Sequence, residues 1–287
     1  MQIRPRLTPE EYQVILDYRD GLLHYNKPLQ NRGTKAKILL FDLETMPLSA
    51  MLFSIWKQNV NLDFILEDWF CASWAAKWFD SDEVYSDVLT KDEILKEDDK
   101  RIMQSLWNMI DQADIIIAHN AIKFDVKKMN TRFLYHGFNP PSHYEVVDTL
   151  AELRKTFAIT SNRLDYVNKW LGLEGKLPTN ASLWSACMKG DEEALAKMLE
   201  YNENDVLILE RNYLKIRGWI KNHPNINLFN DIEEHQCPNC SSTNLTWKGY
   251  KTTKVGRYNS YRCNDCGHIG HSRFSDLSIE KRKAIVR

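Results

Sequence analysis

The residues of this chain best suited to chemistry are carboxylates that stand beside strongly apolar sequence. Asp42 and Glu44 close the run Ile38-Leu39-Leu40-Phe41. A short continuous apolar run reads as a buried central strand. At a strand's period of two, Asp42 and Glu44 face the same side. A second such run, Ile115-Ile116-Ile117-Ala118, leads into His119-Asn120-Ala121-Ile122-Lys123-Phe124-Asp125. A late helical segment carries Tyr201-Asn202-Glu203-Asn204-Asp205, in which Tyr201 and Asp205, four apart, share a helix face. Carboxylates gathered at the ends of core elements repel one another unless a cation neutralises them. Hard divalent ions with oxygen ligands, Mg²⁺ or Mn²⁺, are the fitting cations. Two of them ~4 Å apart clamp the attacking water and the leaving oxygen of a phosphodiester.

Taken singly, each piece has a plain alternative. An Asp-x-Glu after a strand serves as a cap or a surface pair, and Tyr201 with Asp205 as a core tyrosine and a surface acid. Their order along one chain is more specific. Phe41-Asp42-Leu43-Glu44-Thr45, then His119-Asn120 with Phe124-Asp125, then Tyr201-Asn202 with Asp205-Val206, resembles the three motifs of the DEDD 3′–5′ exonucleases of the ribonuclease H-like superfamily. The resemblance covers about residues 37–220. It implies that Asp42, Glu44, Asp125 and Asp205 hold two Mg²⁺ or Mn²⁺ ions, and that Tyr201 orients or helps deprotonate the attacking water. One branch of the superfamily has a histidine five residues before the last aspartate. Here Glu200 stands there and Tyr201 follows, which sides with the tyrosine branch. A phenol with a pKa of ~10 is a poor base at neutral pH, so Tyr201 is expected to position a water whose acidity comes from the cation. The resemblance also brings the backbone of Thr45 and Met46 to the terminal nucleotide. His119 and Asn120 are candidate substrate-binding residues, with fixing of their own loop as the alternative. Asp148 reads as a helix cap.

Four of the six cysteines form two CxxC pairs, Cys237-Pro238-Asn239-Cys240 and Cys263-Asn264-Asp265-Cys266, 22 residues apart. Such turns present two thiolates each, and tetrahedral zinc takes four. The module resembles a zinc ribbon around one structural Zn²⁺. Between the knuckles lie Trp247, Lys248, Tyr250, Lys251, Lys254, Arg257, Tyr258, Tyr261 and Arg262. Bases and phosphates suit interleaved aromatic and basic residues, so Lys248, Lys251, Lys254 and Arg257 are candidate nucleic-acid contacts. A small ribbon core with solvated charges is the alternative. The lone Cys71 and Cys187 read as buried thiols.

The elements that must position these groups follow from the pattern. Residues 1–36 read as an arm: a capped helix from Thr8-Pro9-Glu10-Glu11 to Gly21, then a polar linker. Strands are expected at 38–41, 69–79, 83–89, 115–118 and 146–147, with Asp80-Ser81-Asp82 as a hairpin turn. Helices are expected at 92–110, 124–135, 149–157, 161–171 and 191–220, with 46–66 irregular. The fold class expected is α/β: a ribonuclease H-like mixed sheet flanked by helices over 37–222, plus a zinc ribbon over 236–287.

Composition narrows the rest. With 43% hydrophobic and 27% charged residues, the chain is no disordered polymer, collagen-like repeat or supercharged coat. No apolar run reaches the ~18–20 residues that span a bilayer, and the first ten residues lack a signal-peptide core. A cytoplasmic setting and no membrane partner are expected. The formal net charge of −1 hides a split: residues 236–287 hold 10 basic and 3 acidic residues, +7, while the remainder sums to −8. The reaction expected is 3′–5′ hydrolysis of nucleic acid, DNA favoured over RNA, releasing nucleoside monophosphates, with any replication or repair partner unidentified. An RNA exonuclease, a structure-specific endonuclease and a non-catalytic nucleic-acid adaptor are the alternatives.

Overall fold

The computed structural model describes residues 35–286 except 55, 57, 58 and 178. The arm expected at the N-terminus lies outside them, apart from its last two residues.

Ile38–Thr45 forms β1, the central strand of a five-stranded sheet. Its neighbour β4 (Cys71–Trp78) is antiparallel to it, and β5 (Val84–Val88) is antiparallel to β4. On the other side β6 (Ile115–Ala118) and β7 (Glu145–Asp148) run parallel to β1. The order is β5-β4-β1-β6-β7, a mixed sheet. A short ladder, β2 (Ser49–Ala50) with β3 (Ile65–Glu67), lies in the stretch expected to be irregular.

Period-two geometry divides β1 between two cores. Leu39, Phe41 and Leu43 point to one face, packing with Ile102, Leu106 and Phe133. Ile38 and Leu40 point to the other, packing with Val206, Leu209 and Tyr213 of the long late helix. Asp42 and Glu44 continue that second row. The sheet is therefore sandwiched between α2 (Lys100–Ile110) with α3 (Asp125–Tyr135) on one side, and α4 (Thr149–Thr156), α5 (Leu164–Trp170) and α7 (Glu192–Ile216) on the other.

The expected helix at 92–110 is two helices. Thr90 starts α1 (Lys91–Lys96) with a capping box to Glu93, and Glu97, left-handed at φ 55°, stops it. The break frees Asp99, which is fully buried. Its carboxylate accepts from the Cys71 N–H at 2.8 Å, from Arg132 Nε and a terminal guanidinium nitrogen at 2.6 Å each, and from His136 at 2.5 Å. Cys71 pairs with Thr45 where the β1–β4 register shifts after Glu44. Asp99 thus anchors the bulge at the acidic end of β1. A further helix, α6 (Ala181–Met188), was not legible from the pattern, and α7 ends at Ile216 in a 3₁₀ turn instead of reaching 220.

The C-terminal segment has its own sheet, ordered β10-β9-β8, from Leu245–Thr252 (β8), Arg257–Cys263 (β9) and Ile269–His271 (β10). A short helix, α8 (Ile279–Lys283), follows. Asn239, buried between the first two ribbon cysteines, donates to the carbonyls of Arg217 and Ile220 at 2.8 and 2.9 Å, just past the end of α7. Gly218 leaves room for this docking: a Cβ there would stand 2.0 Å from the Cys266 carbonyl oxygen. No helix among the described residues is long and apolar enough to cross a membrane.

Replacing Asp99 with Ala leaves the buried Arg132 charge unpaired. A loss of about 3–5 kcal/mol in urea unfolding is expected, and Asp99→Ala/Arg132→Leu is expected to regain part of it. Equal stability of wild type and the single variant would remove Asp99 as the anchor.

Candidate active site

The end of β1 and the middle of α7 bring Asp42, Glu44 and Asp205 together, with carboxylate oxygens all within 4.8 Å of one another. Asp125, at the first turn of α3, stands outside that trio but close to it: after burial, its charge is the strongest force raising Asp42. Tyr201 lies one turn before Asp205 on α7 and is buried.

Electrostatics are dominated by crowding. Burial, then Asp125, Asp205 and Glu44, hold Asp42 well above the usual carboxylate range. Burial lifts Glu44 to about 7, with Asp205 adding to it against the pull of Lys176. Burial also lifts Asp125 to about 8, against the backbone N–H groups of Asp125 and Leu43 that donate to its carboxylate. Asp205 is raised by burial and restrained by Lys176. Asp125 Oδ2 and Asp205 Oδ1 are buried without any hydrogen-bond partner. Orphaned carboxylate oxygens in an acid cluster are what a divalent cation would satisfy. The donor set therefore fits Mg²⁺ or Mn²⁺.

Two residues that sequence reasoning did not single out shape the cluster. Lys176 contacts Asp205 Oδ2 and donates to the Tyr201 hydroxyl at 3.0 Å. Burial pulls its pKa down, but Asp205 and Asp42 more than offset that and raise it. Its loop is held by the Lys176 N–H donating to Asp165 at 2.8 Å, and Gly175 leaves no room there for a Cβ, which would meet Asp165 at 2.4 Å. No periodicity marks this loop. Asn202, fully buried, donates to Asp42 Oδ2 at 2.7 Å and accepts from Ser73 at 3.2 Å, which fixes the orientation of its amide. Its signal was its place between Tyr201 and Asp205.

The candidate substrate-binding residues divide. Thr45 is partly exposed at the bulge; the Met46 side chain is fully buried in the core and its N–H donates to the Phe70 carbonyl at 2.9 Å. His119 lines the groove but both ring nitrogens are engaged, with Thr149 Oγ1 and the Asn162 carbonyl at 2.9 Å each. The carbonyl can only accept, so Nε2 carries the proton, and burial holds the ring near 4, hence neutral. His119 fixes its loop. Asn120 adopts φ 77°, a left-handed turn that asparagine tolerates, and Asp148 caps both this turn and α4.

In the ribbon, Cys237, Cys240, Cys263 and Cys266 bring their sulfurs within 4.8 Å of one another. The pairs Cys237–Cys266 and Cys240–Cys263 are 3.6 Å apart. Thiolates ~2.3 Å from a tetrahedral zinc stand about 3.8 Å from each other, so the four sulfurs fit one ion. Trp247 pairs with Tyr261 and Tyr250 with Asn259, the extra residue between them forming a bulge at Gly249. Trp247 and Tyr250 thereby share one face. Arg257 is tied to Asp276 at 3.1 Å and lies over the Tyr250 ring, and Lys251 contacts His271 at 2.9 Å. Lys248 and Lys254 are exposed and form no ion pair among the described residues.

Because Glu44 and Asp125 titrate near 7 and 8 when folded and near 4 when unfolded, the folded state holds more protons and stability falls as pH rises between those values. His119 and His223, both held near 4 by burial, act oppositely, but only below their unfolded pKa of about 6.5. Between pH 6.5 and 8 the melting temperature without divalent ions is therefore expected to fall. Added Mn²⁺ is expected to raise it more at pH 8 than at 6.5. A flat or rising profile would contradict the crowded-acid description.

Residues 74–216 match the family model described as the RNase_H superfamily. That span contains Asp125, Tyr201 and Asp205 and begins after Asp42 and Glu44. No curated protein matches the chain. Among solved structures the chain is similar to the family B DNA polymerase from the hyperthermophilic archaeon Pyrobaculum calidifontis. That similarity has 15% identity and a TM-score of 0.45, and covers 63% of this chain and 25% of that one. This chain thus aligns with about a quarter of the polymerase's length. By its family match and its mixed, helix-flanked sheet, the α/β domain of this chain is a ribonuclease H-like domain.

Proposed function

We propose that the chain is a metal-dependent 3′–5′ exonuclease that hydrolyses nucleic acid, DNA in preference to RNA, and releases nucleoside monophosphates. The observation that carries this reading is the cluster of Asp42, Glu44 and Asp205, with Asp125 beside it and orphaned oxygens on Asp125 and Asp205. The ribonuclease H-like domain supports a phosphodiester substrate. The 3′–5′ direction and the preference for DNA rest on the motif resemblance.

Asp42, Glu44, Asp125 and Asp205 would hold two Mg²⁺ or Mn²⁺ ions, which when bound acidify the attacking water and screen the charge of the leaving oxygen. The protein's own groups do the positioning. Burial pushes Tyr201 up to about 12, with Asp205 adding to it, so the phenol keeps its proton at neutral pH. Its oxygen accepts from Lys176, and its O–H is hydrogen-bonded to Asp205, which aims the hydroxyl at the acidic cluster. Asn202 holds the Asp42 carboxylate in one orientation. Lys176 offsets part of the carboxylate charge and lies against Asp205. The ribbon would take one structural Zn²⁺ on its four cysteines, with Lys248, Lys251 and Lys254 as its contacts to a polyanion.

The test is digestion of end-labelled single- and double-stranded DNA and RNA, and of a closed circle, with Mg²⁺ or Mn²⁺. Stepwise shortening from the 3′ end and an intact circle are expected. Asp42→Asn is expected to lower the rate by about 10²–10³-fold or more, yet to raise the melting temperature without divalent ions, since it removes an acid whose ionised form burial and its acidic neighbours disfavour. Cutting of the circle would make the enzyme an endonuclease. Binding without turnover under every condition would make it an adaptor.

A further inference from the structure

The groove that opens from the acidic cluster has a volume of about 870 Å³ and runs from Asp42, Tyr201 and Lys176 past His119 to Arg154, Arg163 and Lys169. Four cations line it. Two are committed: Lys176 to Asp205, and Lys169 to Asp165 at 2.8 Å. Arg154 and Arg163 are exposed, and their guanidinium groups make no ion pair or hydrogen bond among the described residues.

Both arginines stand on fixed backbone. Arg154 belongs to the last turn of α4, whose first turn is capped by Asp148. Arg163 is the residue that begins α5, and its neighbour Asn162 is tied to His119, which also contacts Thr149 at the start of α4. One neutral imidazole therefore links the two segments that carry the arginines. Burial keeps that ring uncharged through the neutral range, so the link does not change with protonation there.

A guanidinium is always charged and matches a phosphate with two parallel hydrogen bonds. Two of them, unpaired among the described residues and lining the same groove as Asp42, form a place for negative charge beside the acidic cluster. The cluster, once it holds cations, takes the phosphate to be cut. Resting on the nuclease reading above, we propose that Arg154 and Arg163 form a second phosphate subsite, which holds a non-scissile phosphate of the same strand. The ligand class is a polynucleotide with at least two backbone phosphates, gripped without regard to base. Leu177, at the side of the groove, offers an apolar surface to the sugar or base between the two phosphates.

The experiment is fluorescence anisotropy of a labelled single-stranded DNA, titrated at several salt concentrations. Asp42→Asn is the background, so that the probe is not consumed. Arg154→Gln/Arg163→Gln is compared with the charge-matched Lys96→Gln/Lys100→Gln, two exposed lysines on α1 and α2. For the arginine pair the affinity is expected to fall by tenfold or more. The slope of log affinity against log salt is expected to become shallower by about 0.7, the value for one phosphate of a single strand. An unchanged slope, or an equal loss in the lysine pair, overturns the subsite. The nuclease reading is decided separately, by cleavage with Asp42 intact. A chain that never cuts but loses salt-sensitive binding in the arginine pair keeps the subsite and loses the exonuclease.

Discussion

Like charges held together out of water are the constraint around which this molecule is arranged. Asp42, Asp125 and Asp205 lie 83 and 80 residues apart in sequence, and folding brings them to one point at the end of the central strand, together with Glu44. Desolvation and mutual repulsion both oppose that gathering. The chain meets the cost with proton uptake, one lysine and one buried amide, and leaves two oxygens unanswered. A protein selected only for stability would have apolar residues there. A cluster of this kind in an otherwise well-packed core has the donor chemistry that suits a divalent cation.

Rigid supports hold the cluster in place. β1 is buried on both faces, and its alternation assigns leucine and phenylalanine to one core and the acids to the other. The register of β1 with β4 and β6 fixes how far Asp42 and Glu44 project beyond the parallel strands. Asp99 holds the bulge from behind through Cys71. On the opposite side α7 is locked by the buried pair of Lys77 with Glu210 at 2.6 Å and by Ser86 with Glu203 at 2.5 Å. Tyr201, Asn202 and Asp205 therefore face β1 with little freedom to turn away.

Groups set by local pattern were legible in the sequence. A period of two aligned Asp42 with Glu44, a period of 3.6 aligned Tyr201 with Asp205, and the paired CxxC turns announced four convergent sulfurs. Groups set by tertiary context were not. Lys176 lies in a loop without periodicity, and its N–H contact with Asp165 from α5 helps hold it at the acids. The break at Glu97–Asp99 is invisible to hydrophobic spacing, because Ile94 and Ile102 are buried on either side of it as one continuous helix would bury them. Met46 follows the Asp42–Glu44 motif closely, yet the strand's exit turns its side chain inward. Arg154 and Arg163 belong to helices whose local sequence carries no sign that they share a groove.

The docking of the ribbon on the end of α7 also sets a length scale. Asn239 holds the carbonyls just beyond the helix, and the eleven residues from Asp205 to Ile216 at ~1.5 Å each make about 16 Å of straight α-helix. The helix that supplies Asp205 to the acidic cluster is thus also the strut that separates it from the cysteine knuckle.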